Sequence, residues 1–383
     1  MLTKLRIKNY KSFKKNTIID FTKTNYKILS KTNIHENTLK GGLFIGANAS
    51  GKTNVIKAIK KLLELLFAEK ITNIEADNCL FSKESNMILE YSFLINQAVI
   101  KYHIEYDIKK EILIEKLFLD EKLLLNRIGT NGETILTENK VFNELDNESL
   151  LLREIYFNTK FRGHDILKEW FDFLLNSVVI DAYYGGIFSP GKKTLIINDF
   201  LEEHGVNNIN AFFQKLNFKQ KIEYSNTSSG SLITINSNDE KSVFFKRKGI
   251  GEPIPYQLES LGNKNLLNLL PSFFHVINNN GMLIIDEFSS GFHNQLEELL
   301  LRYFMQKSKQ SQIFIVSHST NLLSNSLLRP DQIYLIEFKD MKGSIIKRAS
   351  EEKPREAQNI EKMYLSGVFG GIPAYNDEEL NYK

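Results

Sequence analysis

The segment Gly46-Ala47-Asn48-Ala49-Ser50-Gly51-Lys52-Thr53 constrains this chain more than any other. It satisfies the pattern G-x-x-x-x-G-K-[ST], and its surroundings fit. Leu43-Phe44-Ile45 is a short apolar run before it. After it, apolar residues recur at helical spacing through Val55, Ile56, Ala58, Ile59, Leu62, Leu63, Leu65 and Leu66. A strand, a glycine-rich turn and a helix in that order present backbone N–H groups at a helix N-terminus, which suits bound phosphate. The pattern predicts a cradle built from Gly46, Asn48, Ser50, Gly51, Lys52 and Thr53. Lys52 would reach the β- and γ-phosphates of ATP, and the Thr53 hydroxyl would ligate Mg²⁺.

Two later apolar runs end in polar residues. Met282-Leu283-Ile284-Ile285 leads into Asp286-Glu287. Adjacent carboxylates at the end of a buried strand are unfavourable unless they hold a cation or move a proton. Asp286 fits the outer sphere of the Mg²⁺ ion, and Glu287 fits the base that polarises an attacking water. Ile313-Phe314-Ile315-Val316 leads into Ser317-His318-Ser319, where His318 would donate a hydrogen bond to the γ-phosphate or the water. Glu259-Ser260-Leu261-Gly262 precedes a helical pattern. Ser260 reads equally as a helix N-cap and, with Gly262, as part of an anion site serving the nucleotide of a second subunit.

The final third alternates helix and strand, which implies parallel β-α units. The expected helices are 263–276, 293–306 and 321–326, and the strands are 282–285, 312–316 and 333–337. Alternation through Leu5 and Ile7 predicts an opening strand paired with Ile18 to Phe21, and 87–119 reads as an antiparallel β-meander. The expected division is 1–125 for the first part of a nucleotide-binding head and 126–245 for a mainly helical insertion lobe. Residues 246–350 complete the head and 351–383 form a tail. Within the insertion, Trp170 and Tyr183-Tyr184-Gly185-Gly186 read either as interface anchors or as ordinary core and turn.

Composition narrows the classes further. The 383 residues are 42% hydrophobic, which excludes wholesale disorder. One cysteine, Cys79, excludes a disulfide framework and Cys-rich metal sites. No apolar run is long enough for a membrane span, and the charged opening residues do not read as a signal peptide, so a cytoplasmic protein is expected. The 49 basic against 46 acidic residues leave a net charge of +3, so any nucleic-acid surface must be local.

Taken together, the motifs resemble those of the ABC-type ATPases of the SMC, RecF and OLD lineage, over roughly residues 1–70 and 250–340. Leu5-Arg6-Ile7-Lys8-Asn9-Tyr10-Lys11-Ser12-Phe13 resembles that lineage's first strand, and Asn48 and Asn54 are typical of its loop. Glu259 to Lys264 resembles a degenerate ABC signature acting in trans, and Ser289-Ser290-Gly291-Phe292-His293 resembles the segment after the acidic pair. The resemblance implies an α/β fold of P-loop NTPase, ABC/SMC-head type. That means a mixed central sheet with flanking helices, an antiparallel meander and a helical insertion lobe.

The C-terminal Tyr364-Leu365-Ser366-Gly367-Val368-Phe369-Gly370-Gly371-Ile372-Pro373 is similar to stand-alone ATPases of the RloA/AbiL type from bacterial phage-defence operons, and the ATPase of the PARIS system is similar in outline. That resemblance implies an ATP-dependent homodimer or higher oligomer controlling a separately encoded effector, often a Toprim-type nuclease. The sequence departs from the lineage in lacking L-S-G-G-Q, a long coiled coil and a following Toprim domain. Its only candidate for a glutamine-loop residue is Gln97.

Two other functions fit the residues. A RecF-like repair ATPase would bind DNA through Lys4, Arg6, Lys8, Lys11, Lys14 and Lys15, or through Lys241, Lys246, Arg247 and Lys248. A scaffold would hold a structural nucleotide with little turnover.

Overall fold

The alternation at Leu5 and Ile7 becomes a strand, Leu2–Lys8, in a computed structural model. The structure describes residues 1–68, 70–72, 74–138, 140–191, 195–237, 240–289 and 292–370. The opening strand pairs antiparallel with Thr17–Asp20 on one side and Asn86–Ile95 on the other. The meander continues through Ala98–Asp107, Ile112–Leu119, Lys122–Ile128, Asn131–Thr134 and Val141–Phe142, completing an eight-stranded antiparallel sheet.

A second sheet has seven strands: β1 Gly41–Gly46, β2 Val178–Asp181, β3 Gly186–Phe188, β4 Met282–Asp286, β5 Gln312–Val316, β6 Ile333–Phe338 and β7 Ser344–Arg348. Their order is β3-β2-β4-β5-β1-β6-β7. The five inner strands are parallel, and the edges β3 and β7 are antiparallel. Three helices matter for the site: α1 Lys52–Phe67, α2 Leu261–Asn279 and α3 Asn294–Lys307.

The inner strands read as continuous apolar runs because both faces are covered. Phe44, Ile284, Phe314, Tyr334 and Ile336 face α1 and the antiparallel sheet. Leu43, Ile45, Leu283, Ile285, Ile313, Ile315 and Leu335 face α2 and α3. Gln312 links the two sheets from a fully buried position. Its amide donates to the carbonyls of Leu2 and Leu39 and accepts from the Leu2 N–H.

The region expected to be mainly helical, 126–245, is mixed. Its start completes the meander. Helices Leu151–Thr159 and Asp165–Leu175 follow, then β2 and β3 of the central sheet, then helices Ile197–His204 and Asn207–Lys215. Gln220–Ser225 and Ser242–Arg247 pair in a separate small sheet. The strand β2 lay hidden because Val178-Val179-Ile180 is too short and too uniformly apolar to show a period. The pattern from Ile197 to Leu216 is two helices, broken at Gly205 with φ of 64°. The helix expected at 321–326 is a single 3₁₀ turn, Thr320–Leu322. No described helix is long and apolar enough to cross a membrane.

Candidate nucleotide site

Strand β1 is buried along its whole length and delivers the glycine-rich loop to the C-terminal edge of the parallel strands. The tight curvature of the loop comes from two left-handed residues, Ala49 (φ 59°) and Gly51 (φ 104°). Glycine is required at Gly51, since a Cβ there would stand 2.2 Å from Ser344 Oγ and 2.5 Å from Ser12 Oγ. At Gly46 a Cβ would stand 2.1 Å from the Ile336 carbonyl oxygen. Ser344 Oγ also donates to the Ser50 carbonyl (2.6 Å), so β7 braces the loop from outside. Asn48 is exposed at the loop's mouth, and Ser50 is buried with no partner for its hydroxyl.

Lys52 begins α1 and is buried. Its Nζ donates to the carbonyls of Gly46 (3.1 Å) and Ala47 (2.8 Å). Burial pulls its ammonium below the ordinary value, while Glu287 and Asp286 pull the other way. Thr53 Oγ1 donates to Asp286 Oδ1 (3.2 Å). Asn54, expected at the nucleotide, instead donates to Ser12 Oγ (2.7 Å) and ties α1 to the N-terminal segment.

Asp286 ends β4, and Glu287 follows with φ of 54°. A non-glycine residue in that conformation carries about 1–2 kcal/mol of strain. Burial lifts the Asp286 carboxyl above its usual range. The Thr53 hydrogen bond opposes that lift, and the Glu287 and Asp181 carboxylates add to it. His318, just beyond the adjacent β5, places Nε2 3.7 Å from Glu287 Oε1. Burial and then the Lys52 charge hold its imidazole below its ordinary value, against the Glu287 carboxylate, so the ring is neutral near pH 7. Lys52, Asp286, Glu287 and His318 therefore meet at the ends of three neighbouring strands, as expected for a ligand site in a parallel sheet.

A Mg²⁺ ion fits these residues. Thr53 and Asp286 offer hard oxygen donors side by side, and the lifted Asp286 carboxyl lies among other carboxylates. Among the described residues no cluster of three or more His, Cys, Asp or Glu could hold a metal ion alone. Such an ion would share phosphate oxygens with these two side chains.

Ser260 and Gly262 lie elsewhere. Ser260 is the N-cap of α2, its Oγ accepting from the Asn263 N–H (3.3 Å). Arg247 holds the preceding Glu259 by donating to both of its carboxylate oxygens (2.6 and 2.8 Å). The first turns of α2 border β2 and β3 across a small apolar cavity of about 50 Å³ lined by Ile180, Gly185, Asn265, Leu269 and Phe288. Strand β2 is the third from β1, or about 14 Å across the sheet.

Asp181 was missed in the sequence. It ends β2 in register with Asp286, and its Oδ1 accepts from the N–H groups of Tyr183 (3.1 Å) and Tyr184 (2.9 Å). The available signal was an apolar run ending in Asp, the same arrangement that marked Asp286. Gln97 does not belong to the site. It sits at φ 71° in the turn between Asn86–Ile95 and Ala98–Asp107. The neighbouring Asn96 lines a cavity with Asn280 and Gln310, before the starts of β4 and β5, at the opposite end of the strands.

His293 is the N-cap of α3. Ser290 and Gly291 of its segment, and Gly371 to Pro373 of the C-terminal motif, lie outside the described residues. Trp170 is fully buried against Phe93, Tyr102 and Phe171, so it is core and no anchor. Tyr183 and Tyr184 are 69% and 83% exposed.

A family model described as "AAA domain, putative AbiEii toxin, Type IV TA system" matches residues 43–324. The chain belongs to that family. The loop, the acidic pair and His318 of this AAA domain all fall inside the match, which begins within strand β1. No curated protein sequence matches the chain. Among solved structures, this AAA domain is similar to an Smc head bound to the C-terminal winged-helix domain of ScpA. That similarity has a TM-score of 0.53 at 14% identity, covering 92% of this chain and 99% of the other. An Smc head with an extended coiled coil, bound to the C-terminal domain of ScpA from Pyrococcus furiosus, gives the same score and identity over 92% and 97%. The fold is that of a P-loop NTPase of SMC-head type.

Proposed function

We propose that this AAA domain hydrolyses ATP, and that its ATP-bound assembly controls a separately encoded effector, a Toprim-type nuclease, in bacterial anti-phage defence. The observation that carries the catalytic half is the meeting of Lys52, Thr53–Asp286 and Glu287–His318 on three adjacent strand ends. In the reaction the Lys52 ammonium exchanges the Gly46 and Ala47 carbonyls for phosphate oxygens. Glu287 takes the proton of the water that attacks the γ-phosphorus in line, while the bond to the β–γ bridging oxygen breaks and ADP leaves with that electron pair. His318, neutral, carries one N–H, which faces Glu287 before ATP binds and donates to the γ-phosphate once it is bound. Mg²⁺, when bound by Thr53 and Asp286, offsets phosphate charge.

Ser260 and Gly262 open α2, whose next residues Asn265 and Leu269 border β2, the third strand from the loop, which supports a role at the nucleotide of a second subunit in a homodimer or larger oligomer. The family description names an AbiEii toxin of a toxin–antitoxin system, and together with the C-terminal resemblance it supports a place in cytoplasmic bacterial defence. The solved Smc heads carry a bound ScpA domain, which supports docking of a partner protein on this fold.

The DNA-repair reading gains no support from the basic groups, most of which are paired within the chain. Lys4 faces Asp20, Arg6 faces Glu90, Lys8 faces Glu84 and Lys11 faces Asp77. Lys241, Lys246 and Arg247 face Glu202, Glu223 and Glu259.

The test measures ATP turnover and solution mass with Mg²⁺, wild type against Glu287→Gln. Turnover by the wild type, with an ATP-trapped larger assembly of the variant, is expected. A chain that neither binds ATP nor changes mass would sink the reading. The effector half is tested by co-purifying the chain with the product of a neighbouring nuclease gene, with and without ATP. No ATP-dependent complex would sink that half.

A further inference from the structure

Glu297 lies on α3, four residues after the N-cap His293, and is fully buried. Neither carboxyl oxygen accepts a hydrogen bond of good geometry. Its polar neighbours are Ser319 and Asn321, on the loop that leaves β5 through His318. Asn321 is fixed by its amide nitrogen, which approaches the Asn294 carbonyl (3.2 Å) and Glu298 Oε1 (3.4 Å). Its Oδ1 is buried and has no donor. A buried carboxylate that Ser319 and Asn321 approach only in poor geometry, and a buried amide oxygen without a donor, would each carry a desolvation cost of about 1–3 kcal/mol, and the charge would add more.

A single proton removes both costs. A neutral Glu297 carries an O–H, and Asn321, one of its two polar neighbours, has in Oδ1 an acceptor without a donor. Burial acts in that direction, lifting the Glu297 carboxyl above its usual range. Ser319, Asn321 and His293 oppose the lift, and Glu298 adds to it. The helix Ile360–Leu365 presents Glu361, which already accepts from Thr320 Oγ1 on the same loop.

We propose that Glu297 is a positioning residue that keeps its proton and donates it to Asn321 Oδ1, fastening the His318 loop to the first turns of α3. It touches neither nucleotide nor water. It acts by setting where His318 stands relative to Glu287. Only the kinetic consequence rests on the hydrolysis proposed above.

Two variants separate this role from simple packing. Glu297→Gln keeps a donor of the same size. Glu297→Leu keeps the volume without the donor, so the gain from burying an apolar group is offset by the Asn321 Oδ1 it leaves unsatisfied. In full-length protein, Glu297→Gln should keep kcat within about two-fold, whereas Glu297→Leu should lower kcat about ten-fold with KM little changed. Asn321→Ala should match Glu297→Leu, and the double variant should be no worse than either.

The imidazole resonances of His318 give a readout that needs no turnover. They are assigned among the seven histidines by their loss in His318→Asn. They should stay in place in Glu297→Gln and move in Glu297→Leu. Wild-type kcat and an unmoved His318 signal in Glu297→Leu would overturn the proposal, as would a Gln variant as impaired as the Leu variant. If the wild type turns over no ATP, the hydrolysis reading fails and the His318 resonances alone decide this one.

Discussion

His318 Nε2 and Glu287 Oε1 stand 3.7 Å apart across the ends of two neighbouring parallel strands, β5 and β4. Each is the first or second residue past its strand, and Glu287 reaches that position only by taking a left-handed backbone. A neutral imidazole beside this carboxylate can orient it and still leave it free to accept a proton from water.

Glu287→Gln should therefore keep ATP affinity while cutting kcat by about 100-fold or more. Nucleotide binding by fluorescence, read beside phosphate release, checks this. Loss of both together would make Glu287 a folding residue and not a base.

The lowered His318 pKa carries a sign. Below the ordinary histidine value of 6.5 the unfolded chain takes a proton there and the folded chain does not, so folding stability falls as pH drops through that window. It is fully present above 6.5. His318→Asn should flatten this part of the stability profile, measured as the denaturant midpoint at pH 7 and pH 5. An unchanged slope would show that His318 is not the group responsible.

Two glycines with positive φ should respond differently to alanine. At Gly163 (φ 81°) an added methyl would meet nothing within 4 Å, so Gly163→Ala should cost only the backbone strain, about 1 kcal/mol. Gly51→Ala adds a collision with two hydroxyls and should cost about 2 kcal/mol or more and abolish ATP binding. Thermal unfolding and nucleotide titration of the pair separate strain from collision.

Arg329 and Asp331 form a fully buried pair, Nε to Oδ1 at 2.8 Å. Arg329 also donates to the carbonyls of Tyr26 and Ile28, and Asp331 accepts from Thr24, so the pair pins the segment after Thr17–Asp20. Arg329→Met should cost about 3–5 kcal/mol by stranding the carboxylate. Burial opposes ionisation of Asp331, but Arg329 and Thr24 outweigh it and hold the carboxyl below its usual range. Its contribution is therefore present above the ordinary carboxylate pKa and lost as acid titrates it. Asp331→Asn should weaken the acid dependence of unfolding.

Tyr183 and Tyr184 pack edge-on at 4.9 Å and project into solvent beside Asp181. Replacing both with serine should leave melting and ATP affinity unchanged while weakening the ATP-dependent assembly. Unaltered mass in the presence of ATP would remove them from the interface.

The site was legible where its chemistry is local. The loop from Gly46 to Thr53, the pair Asp286-Glu287 and the strand before His318 each announce themselves within ten residues. What stayed hidden depends on distant pairing. Val178 to Asp181 becomes part of the central sheet only by lying against Leu283 to Asp286, a hundred residues on. Asn54 meets Ser12 through the packing of two sheets, and the basic residues of the opening strand are neutralised by carboxylates on Asn86–Ile95 and other segments. Gln97 was misleading because composition alone does not say at which end of a meander a turn falls.

The strand that carries the phosphate loop is the earliest of the central sheet to leave the ribosome, yet its two neighbours, β5 and β6, are among the last. The close approach of Gly46 to the Ile336 carbonyl can form only after residues near 336 have been made. A chain cut short before β6 therefore lacks one wall of the phosphate loop.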